Sequence, residues 1–227
     1  MMRQERTSAI VLRRTNYGEA DRIIQLLTPL GRRSVIAKGV RKQRSKLAGG
    51  IELLSESDIV IRYSDKGSLG ILGSARMKKF FSEILHDYDR MTFAYEVLGL
   101  VARASEQVDE PQWYDLSTEV LEGLNSSNVP LALIKAWFYL RYARLVGYEL
   151  SVWRDVVGEE IHEEANYRYD VAERGLRKME NGEITSNHIR LLRLLSTKPI
   201  AIIMKVSGVH EYLADCATLA RQHASID

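Results

Sequence analysis

The sequence predicts an α+β chain: an N-terminal five-stranded barrel, best matched by an OB-fold, then an all-helical C-terminal domain with an irregular insert. Three observations predict it. Up to about residue 80, short β-branched runs alternate with turn signals, the pattern of strands. Beyond that point apolar residues recur at i, i+3, i+4 and i+7, the stripe of an amphipathic helix. Charge divides too: twelve Lys/Arg and three Asp/Glu make the first 50 residues +9, and the chain as a whole is only +2, so the rest sums to −7. The expected domains are 1–80 and 81–227, with the insert at 151–182.

The strand candidates are Thr7–Arg13, Arg22–Thr28, Arg33–Gly39, Asp58–Tyr63 and Leu69–Arg76. In the fourth, Ile59, Ile61 and Tyr63 share one face while Asp58, Val60 and Arg62 share the other, the period-2 signal of a half-buried strand. Pro29-Leu30-Gly31 supplies a turn between the second and third. Asp65-Lys66-Gly67 supplies a hairpin turn before the fifth. Five strands with no room for a crossover helix suggest a small antiparallel barrel. An OB-fold has five strands, and an SH3-like barrel fits the pattern almost as well.

The helical part starts with the stripe Ala94, Val97, Leu98 and Val101. Pro111 opens a second helix to about Leu124, and Asn125-Ser126-Ser127-Asn128 breaks it. Pro130 opens a third, with Leu133, Trp137, Leu140 and Ala143 on one face, and Gly147 ends it. Ser151–Gly182 has no clear period. Thr185 or Ser186 caps a further helix through Leu195, and the last helix sets Val209, Leu213, Cys216 and Ala220 on one side.

A chain of 227 residues that is 45% hydrophobic can bury a real core, as one large or two small domains. Its longest apolar runs, such as Ile200 to Met204, are far too short to span a bilayer, so no membrane association is expected. Met1 to Arg6 is polar and shows no secretory signal. One cysteine, Cys216, permits neither an intrachain disulfide nor a cysteine-rich zinc site. A cytoplasmic location is the expectation.

The densest chemistry is the run from Gly31 to Lys46. Its first part reads as a strand with projecting charges, its second as a loop with a cation at nearly every other place. Such a loop can follow a phosphate backbone, and each neutralised phosphate releases counterions. A solvated surface loop without a partner is the competing reading. Bases of single strands stack on aromatic rings. Tyr17, Tyr63, Phe80 and Phe81 lie in or beside the basic head, where the core is the ordinary place for an aromatic. Tyr17 is the exception, in the polar turn Arg14 to Asp21.

No catalytic constellation emerges. The five histidines are scattered, and His162-Glu163-Glu164 lacks the second His of a zinc-protease helix. Gly67, Gly70 and Gly73 are not followed by the Lys-Ser/Thr of a P-loop. Cys216 on an apolar face reads as a buried structural thiol. The chain is read as a non-enzyme that needs no cofactor and no metal.

The run Val11-Leu12-Arg13-Arg14-Thr15-Asn16-Tyr17-Gly18-Glu19-Ala20-Asp21-Arg22-Ile23-Ile24 strongly resembles the opening of the RecO family of bacterial recombination mediators. Thr28-Pro29-Leu30-Gly31, Ala37-Lys38-Gly39-Val40-Arg41 and Lys46-Leu47-Ala48-Gly49 continue the match, and Arg141 to Tyr148 looks like the family's long helix ending in Gly-Tyr. The resemblance implies an OB-fold followed by helices. It implies binding to single- and double-stranded DNA and annealing of complementary strands. It also implies action with RecR to load RecA onto DNA coated by single-strand-binding protein, whose acidic C-terminal tail the family holds. The location implied is cytoplasmic and nucleoid-associated. Carried over, the DNA contacts are Arg13, Arg14, Arg32, Arg33, Lys38, Arg41, Lys42, Arg44 and Lys46, with Tyr17 as a stacking platform. Arg22, beside Glu19 and Asp21, reads instead as a structural ion pair. Many family members carry a four-cysteine zinc module where Ser151–Gly182 stands here without a cysteine, so no structural zinc is expected. Trp153, Tyr167 and Tyr169 would give that insert a small apolar core. Two rival functions stay open: an adaptor that binds an acidic protein tail, and an RNA-binding OB-fold protein.

Overall fold

The computed structural model describes residues 3–63 and 69–225. The turn expected at Asp65-Lys66-Gly67 lies outside the described residues. The chain forms two compact units, Met1–Ser126 and Ser127–Asp227.

In the first unit, five strands close into a barrel in the order β1-β2-β3-β5-β4. They are β1 (Arg3–Tyr17), β2 (Asp21–Thr28), β3 (Gly31–Ala37), β4 (Ser55–Tyr63) and β5 (Gly70–Phe80). The sheet is OB-like and mixed rather than wholly antiparallel, because β3 and β5 run parallel, pairing Val35 with Gly70 and Ile36 with Ile71. The chain leaves β3, crosses the loop that follows and climbs β4, so β5 returns in the direction of β3. β1 is longer than its apolar core suggests. Arg3 to Ile10 pair with β4, and Ile10 to Tyr17 pair with β2. The register shifts between Val11 and Arg13, and such a bulge bends one strand from one neighbour toward the other.

Alternation fills the barrel. Ala9, Val11, Ile24, Leu26, Val35, Ala37, Ile59, Ile61 and Leu72 pack inside with Val40 and Ile51 from the loop. The cross-strand pair Ile10–Leu27 points the other way and is equally buried. Two helices account for it: α1 (Tyr88–Gln107) packs on β1, and α2 (Gln112–Leu124) packs on β1, β2 and β3. Asp87 starts α1 by accepting the N–H groups of Asp89 and Arg90 at 2.9 and 3.0 Å. Ala94, Val97, Leu98 and Val101 form its buried stripe. The Arg90 guanidinium donates to the carbonyls of Gly123, Leu124 and Ser126, capping the C-terminal end of α2.

The second unit holds α3 (Leu131–Leu145), a hairpin of β6 (Tyr167–Asp170) and β7 (Gly175–Lys178), α4 (Ser186–Thr197), the single turn α5 (Ile200–Ile203) and α6 (Leu213–Ala224). Leu133, Trp137, Leu140 and Ala143 are all buried, and α3 packs against α6, α4 and α5. Gly147, at φ +91°, lets the chain turn so that the Tyr148 N–H reaches the Ala143 carbonyl at 2.7 Å. Thr185 caps α4: its N–H donates to His188 Nδ1 at 3.2 Å.

The insert is built on the β6–β7 hairpin. Tyr167 is fully buried and Tyr169 half-buried, but Trp153 is 58% exposed and carries the Arg193 guanidinium 4.0 Å above its ring. Arg193 also donates to the carbonyls of Val152 and Ile161 at 3.1 and 3.5 Å. Trp153 thus covers a guanidinium instead of joining the apolar core. Among the described residues no helix is long and apolar enough to cross a membrane, and no group of three or more His, Cys, Asp or Glu could hold a metal ion.

Candidate nucleic-acid interface

The barrel has two ends, and the structure divides the basic run between them. The β2–β3 turn lies at one end. There Arg32 meets α1 and the residues just past it: its backbone N–H donates to Asp109 at 2.8 Å, and its guanidinium pairs with Glu106 at 3.0 Å. Arg33 pairs with Glu5 at 3.0 Å and donates to the Arg32 carbonyl at 2.9 Å. Gln25 donates to the same Glu106 at 3.1 Å. The charges of Arg32 and Arg33 are already answered by carboxylates.

At the other end the β1–β2 tip meets the loop that leaves β3. Three hydrogen bonds join them. The Gly39 N–H donates to Asp21 Oδ1 at 2.7 Å, the Arg41 N–H to the Ala20 carbonyl at 2.9 Å, and the Arg41 guanidinium to the Gly18 carbonyl at 3.3 Å. Gly39 has φ +65°, which opens the turn that aims its N–H at Asp21. The loop then winds through Lys42 N–H to Gly39 carbonyl and Ser45 N–H to Lys42 carbonyl contacts. Arg13, Lys38, Arg41, Lys42, Arg44 and Lys46 are all exposed. Among the described residues none of these six forms an ion pair. Arg14 is different: it pairs with Glu52 at 2.7 Å and also donates to the Ile51 carbonyl, fastening β1 to the segment before β4. Lys38, just past the end of β3, follows Arg32 by six positions, which at strand rise is about 20 Å.

Tyr17, at the tip of β1, is 54% exposed. Phe81 is fully buried, Tyr63 is half-buried and Phe80 is 40% exposed. Arg22 has its structural role through a different partner than expected: its Nε donates to Asn16 Oδ1 at 3.1 Å, and the Asp21 carboxylate holds Gly39. A burial penalty on Tyr63, with the Glu5 carboxylate beside it, raises that phenol above its ordinary value.

Register reveals a feature that the sequence reading did not assemble. Thr15 lies opposite Ile23, Ile23 opposite Ile36, Ile36 opposite Ile71, and Ile71 opposite Arg62. Their chain neighbours Ile24, Val35, Leu72 and Ile61 point into the core, so this row lies on the outer wall. Ile23, Ile36 and Ile71 are only half-buried. Arg13 and Tyr17 flank the row on β1, and Lys38 leaves the strand just past it. An apolar strip beside unpaired cations and an exposed tyrosine suits unstacked bases with their phosphates to one side. The strand 2–3 wall of an OB-fold is its usual oligonucleotide face. The signal was present as the alternation of Ile23 and Ile36, but linking Ile71 required the β3–β5 register.

The cysteine and the acidic run of the second unit have structural settings. Burial holds the Cys216 thiol up at about 12, with neighbouring Asp215 adding to the effect. Glu163, of the His162-Glu163-Glu164 run, pairs with Arg190 and lies 3.8 Å from Arg193.

Residues 2–81 match the family described as Recombination protein O N terminal, and residues 85–223 match Recombination protein O C terminal. The chain is 30% identical over 165 residues to the DNA repair protein RecO of Roseiflexus sp. (strain RS-1), covering 72% of this chain and 57% of that protein. It is 37% identical over 158 residues to DNA repair protein RecO of Heliobacterium modesticaldum, covering 68% and 56%. With the same protein of Chlorobium phaeobacteroides it shares 31% identity over 159 residues, covering 68% and 60%. The chain thus aligns with little more than half the length of these relatives.

Proposed function

The chain belongs to the RecO family of non-enzymatic recombination mediators in DNA repair, and from that premise we propose that its barrel binds single- and double-stranded DNA and anneals complementary strands. In this reading it acts in the cytoplasm, at the nucleoid, with RecR. Together they help RecA load on DNA coated by single-strand-binding protein, whose acidic tail the chain holds. The observation that carries the DNA-binding reading is the gathering of Arg13, Lys38, Arg41, Lys42, Arg44 and Lys46, unpaired among the described residues, beside Tyr17 and the Ile23–Ile36–Ile71 row.

The mechanism is charge neutralisation. Two DNA strands repel through their phosphates, and a cationic loop screens that repulsion while releasing counterions. The apolar row and Tyr17 hold bases unstacked and ready to pair, without reading their identity. Arg14 fastens β1 beside the site through Glu52, while Arg32 and Arg33, at the other end of the barrel, hold β3 through Glu106 and Glu5. No covalent chemistry is needed, so the reaction is limited by how well the two strands are held.

The test is annealing of complementary oligonucleotides by a variant in which Arg41, Lys42, Arg44 and Lys46 are each changed to Glu. Annealing should be abolished, with and without single-strand-binding protein, while the melting temperature stays close to wild type because all four side chains are exposed. Normal annealing by that variant would remove the loop from the mechanism. Tighter binding of RNA than of DNA at matched length and salt would transfer the site to the RNA-binding reading.

A further inference from the structure

Annealing requires two strands, and the surface described above accounts for the phosphates of one. A second set of cations lies elsewhere on the outer wall of the barrel. Arg6, Arg62 and Arg76 are exposed, and among the described residues none is ion-paired. Register puts all three on the outward face of β1, β4 and β5. Arg6 stands opposite Val60, Arg62 opposite Gln4 and Ile71, and Arg76 opposite Asp58. The residues between them on β4, Ile59 and Ile61, point into the core. Two residues along a strand and one strand across set the spacing, so the three arginines are about 8 to 14 Å apart.

Local structure supports Arg62 in this position. The β4–β5 register passes from Val60–Ser74 to Ile61–Leu72, so Gly73 is the extra residue of a bulge. A side chain at Gly73 would lie 3.1 Å from Arg62 Nε and 3.4 Å from the Val60 carbonyl. The Arg62 guanidinium therefore lies across the one residue that leaves room for it. Bulges of this kind re-aim side chains and gather beside functional sites.

The acids nearby are largely engaged. Asp58 accepts the Ser8 hydroxyl at 3.2 Å. Glu56 accepts Lys78 at 2.8 Å and the Tyr114 hydroxyl at 3.0 Å. With Lys78 and Glu56 cancelling, three arginines against Asp58 leave this wall positive. Its relation to the first surface is set by the cross-strand row. Arg62 ends the row Thr15–Ile23–Ile36–Ile71–Arg62, so the apolar strip lies between the two cationic surfaces.

We propose that Arg6, Arg62 and Arg76 form a second phosphate track, which holds the complementary DNA strand on the far side of the Ile23–Ile36–Ile71 strip from the Lys38–Lys46 loop. This rests on the DNA-binding reading and adds to it a division of labour. One strand lies along the loop, the other along β1, β4 and β5, and their bases meet over the strip. Non-sequence-specific phosphate contacts suit a partner strand whose sequence is set only by the first.

The test uses two oligothymidine strands, one carrying a donor dye and one an acceptor, which cannot pair with each other. Energy transfer between them reports both strands on one protein. Wild type should bind a single strand and show transfer at higher DNA. The triple variant Arg6→Ala, Arg62→Ala, Arg76→Ala should bind the first strand within about two-fold of wild type, but lose transfer and anneal roughly ten-fold more slowly. The triple Arg→Lys variant keeps the charges and should keep transfer, which separates charge from any structural role of the side chains. Transfer retained by the alanine variant overturns the second track and leaves DNA binding intact. First-strand affinity lost to the same extent as transfer also overturns it, because the arginines would then belong to one continuous site. If wild type binds neither strand, it is the DNA-binding reading itself that falls.

Discussion

On the proposed function, the salt dependence of DNA binding counts the cations that face phosphates, and the exposed cations without an ion pair at the loop end of the barrel set the expected count. Arg13, Lys38, Arg41, Lys42, Arg44 and Lys46 are exposed there. At about 0.7 of a log unit per neutralised phosphate of a single strand, six contacts contribute a slope of about −4. Changing Arg41, Lys42, Arg44 and Lys46 to Ala leaves two contacts and a slope of about −1.4. Between 50 and 200 mM salt the six-contact site then loses about 300-fold in affinity and the two-contact site only about 7-fold. The matched control is Arg32→Ala with Arg33→Ala. It removes cations whose charge is spent on Glu106 and Glu5, so the slope should hold even if affinity falls a few-fold as those acids are freed. Fluorescence anisotropy of a labelled oligothymidine over a salt series measures both. A loop variant with the wild-type slope, or a control that loses as much slope as the loop variant, refutes the division of the basic run into free and spent charges.

Other expectations concern stability. Glu56 is buried, which alone would raise its pKa, but hydrogen bonds from Lys78 and Tyr114 outweigh burial and hold it below the ordinary 4.5. Tyr114 is raised well above 10 by burial and by Glu56. A lowered carboxylate stabilises above its ordinary value and fails as pH falls through it, and a raised phenol stabilises below its ordinary value and fails as pH climbs past it. Tyr114→Phe should therefore cost about 1.5–3 kcal/mol at neutral pH, with the gap from wild type narrowing below about pH 4.5 and above about pH 10 in melting curves. Arg193→Met should raise hydrogen exchange across Val152 and Ile161 and alter Trp153 fluorescence, while α1 and α2 stay protected. Gly147→Ala, at φ +91°, should cost about 1–2 kcal/mol in thermal melts. Cys216, buried with its thiol held at about 12, should react with a thiol reagent only as fast as the protein unfolds.

Much of this was legible in the residues. Alternation located the inner face of β4, β-branched runs and turn signals located β2 and β3, and helical periodicity found the buried faces of α1 and α3, because each pattern reports on one element. What escaped depends on which elements lie side by side. The parallel β3–β5 pair joins segments some 35 residues apart through two register positions, which no local pattern marks. The same pairing hides the row Ile23–Ile36–Ile71. Glu106 pairs with the Arg32 guanidinium and Asp109 holds its backbone N–H, both from beyond 70 positions downstream, so sequence could not tell a paired cation from a free one. Arg62 and Arg76 looked like ordinary polar positions on alternating strands until register put them on one wall. The insert lacked a period because its strands are four residues each and Arg193, rather than apolar packing alone, ties it down.

Asp21 sits at the heart of the cationic end, where an isolated reading of charge would have it repel DNA. Its carboxylate instead holds the Gly39 N–H at 2.7 Å, and with the Arg41–Ala20 contact it fixes the first turn of the loop to the β1–β2 tip. A loop already ordered loses less freedom when a strand arrives, and immobilising rotamer-rich side chains costs about 0.5–1.5 kcal/mol each. On the proposed function, this one acid therefore lowers the entropic cost of binding a negative polymer by fixing the backbone of the loop, and offsets part of the repulsion of its own charge.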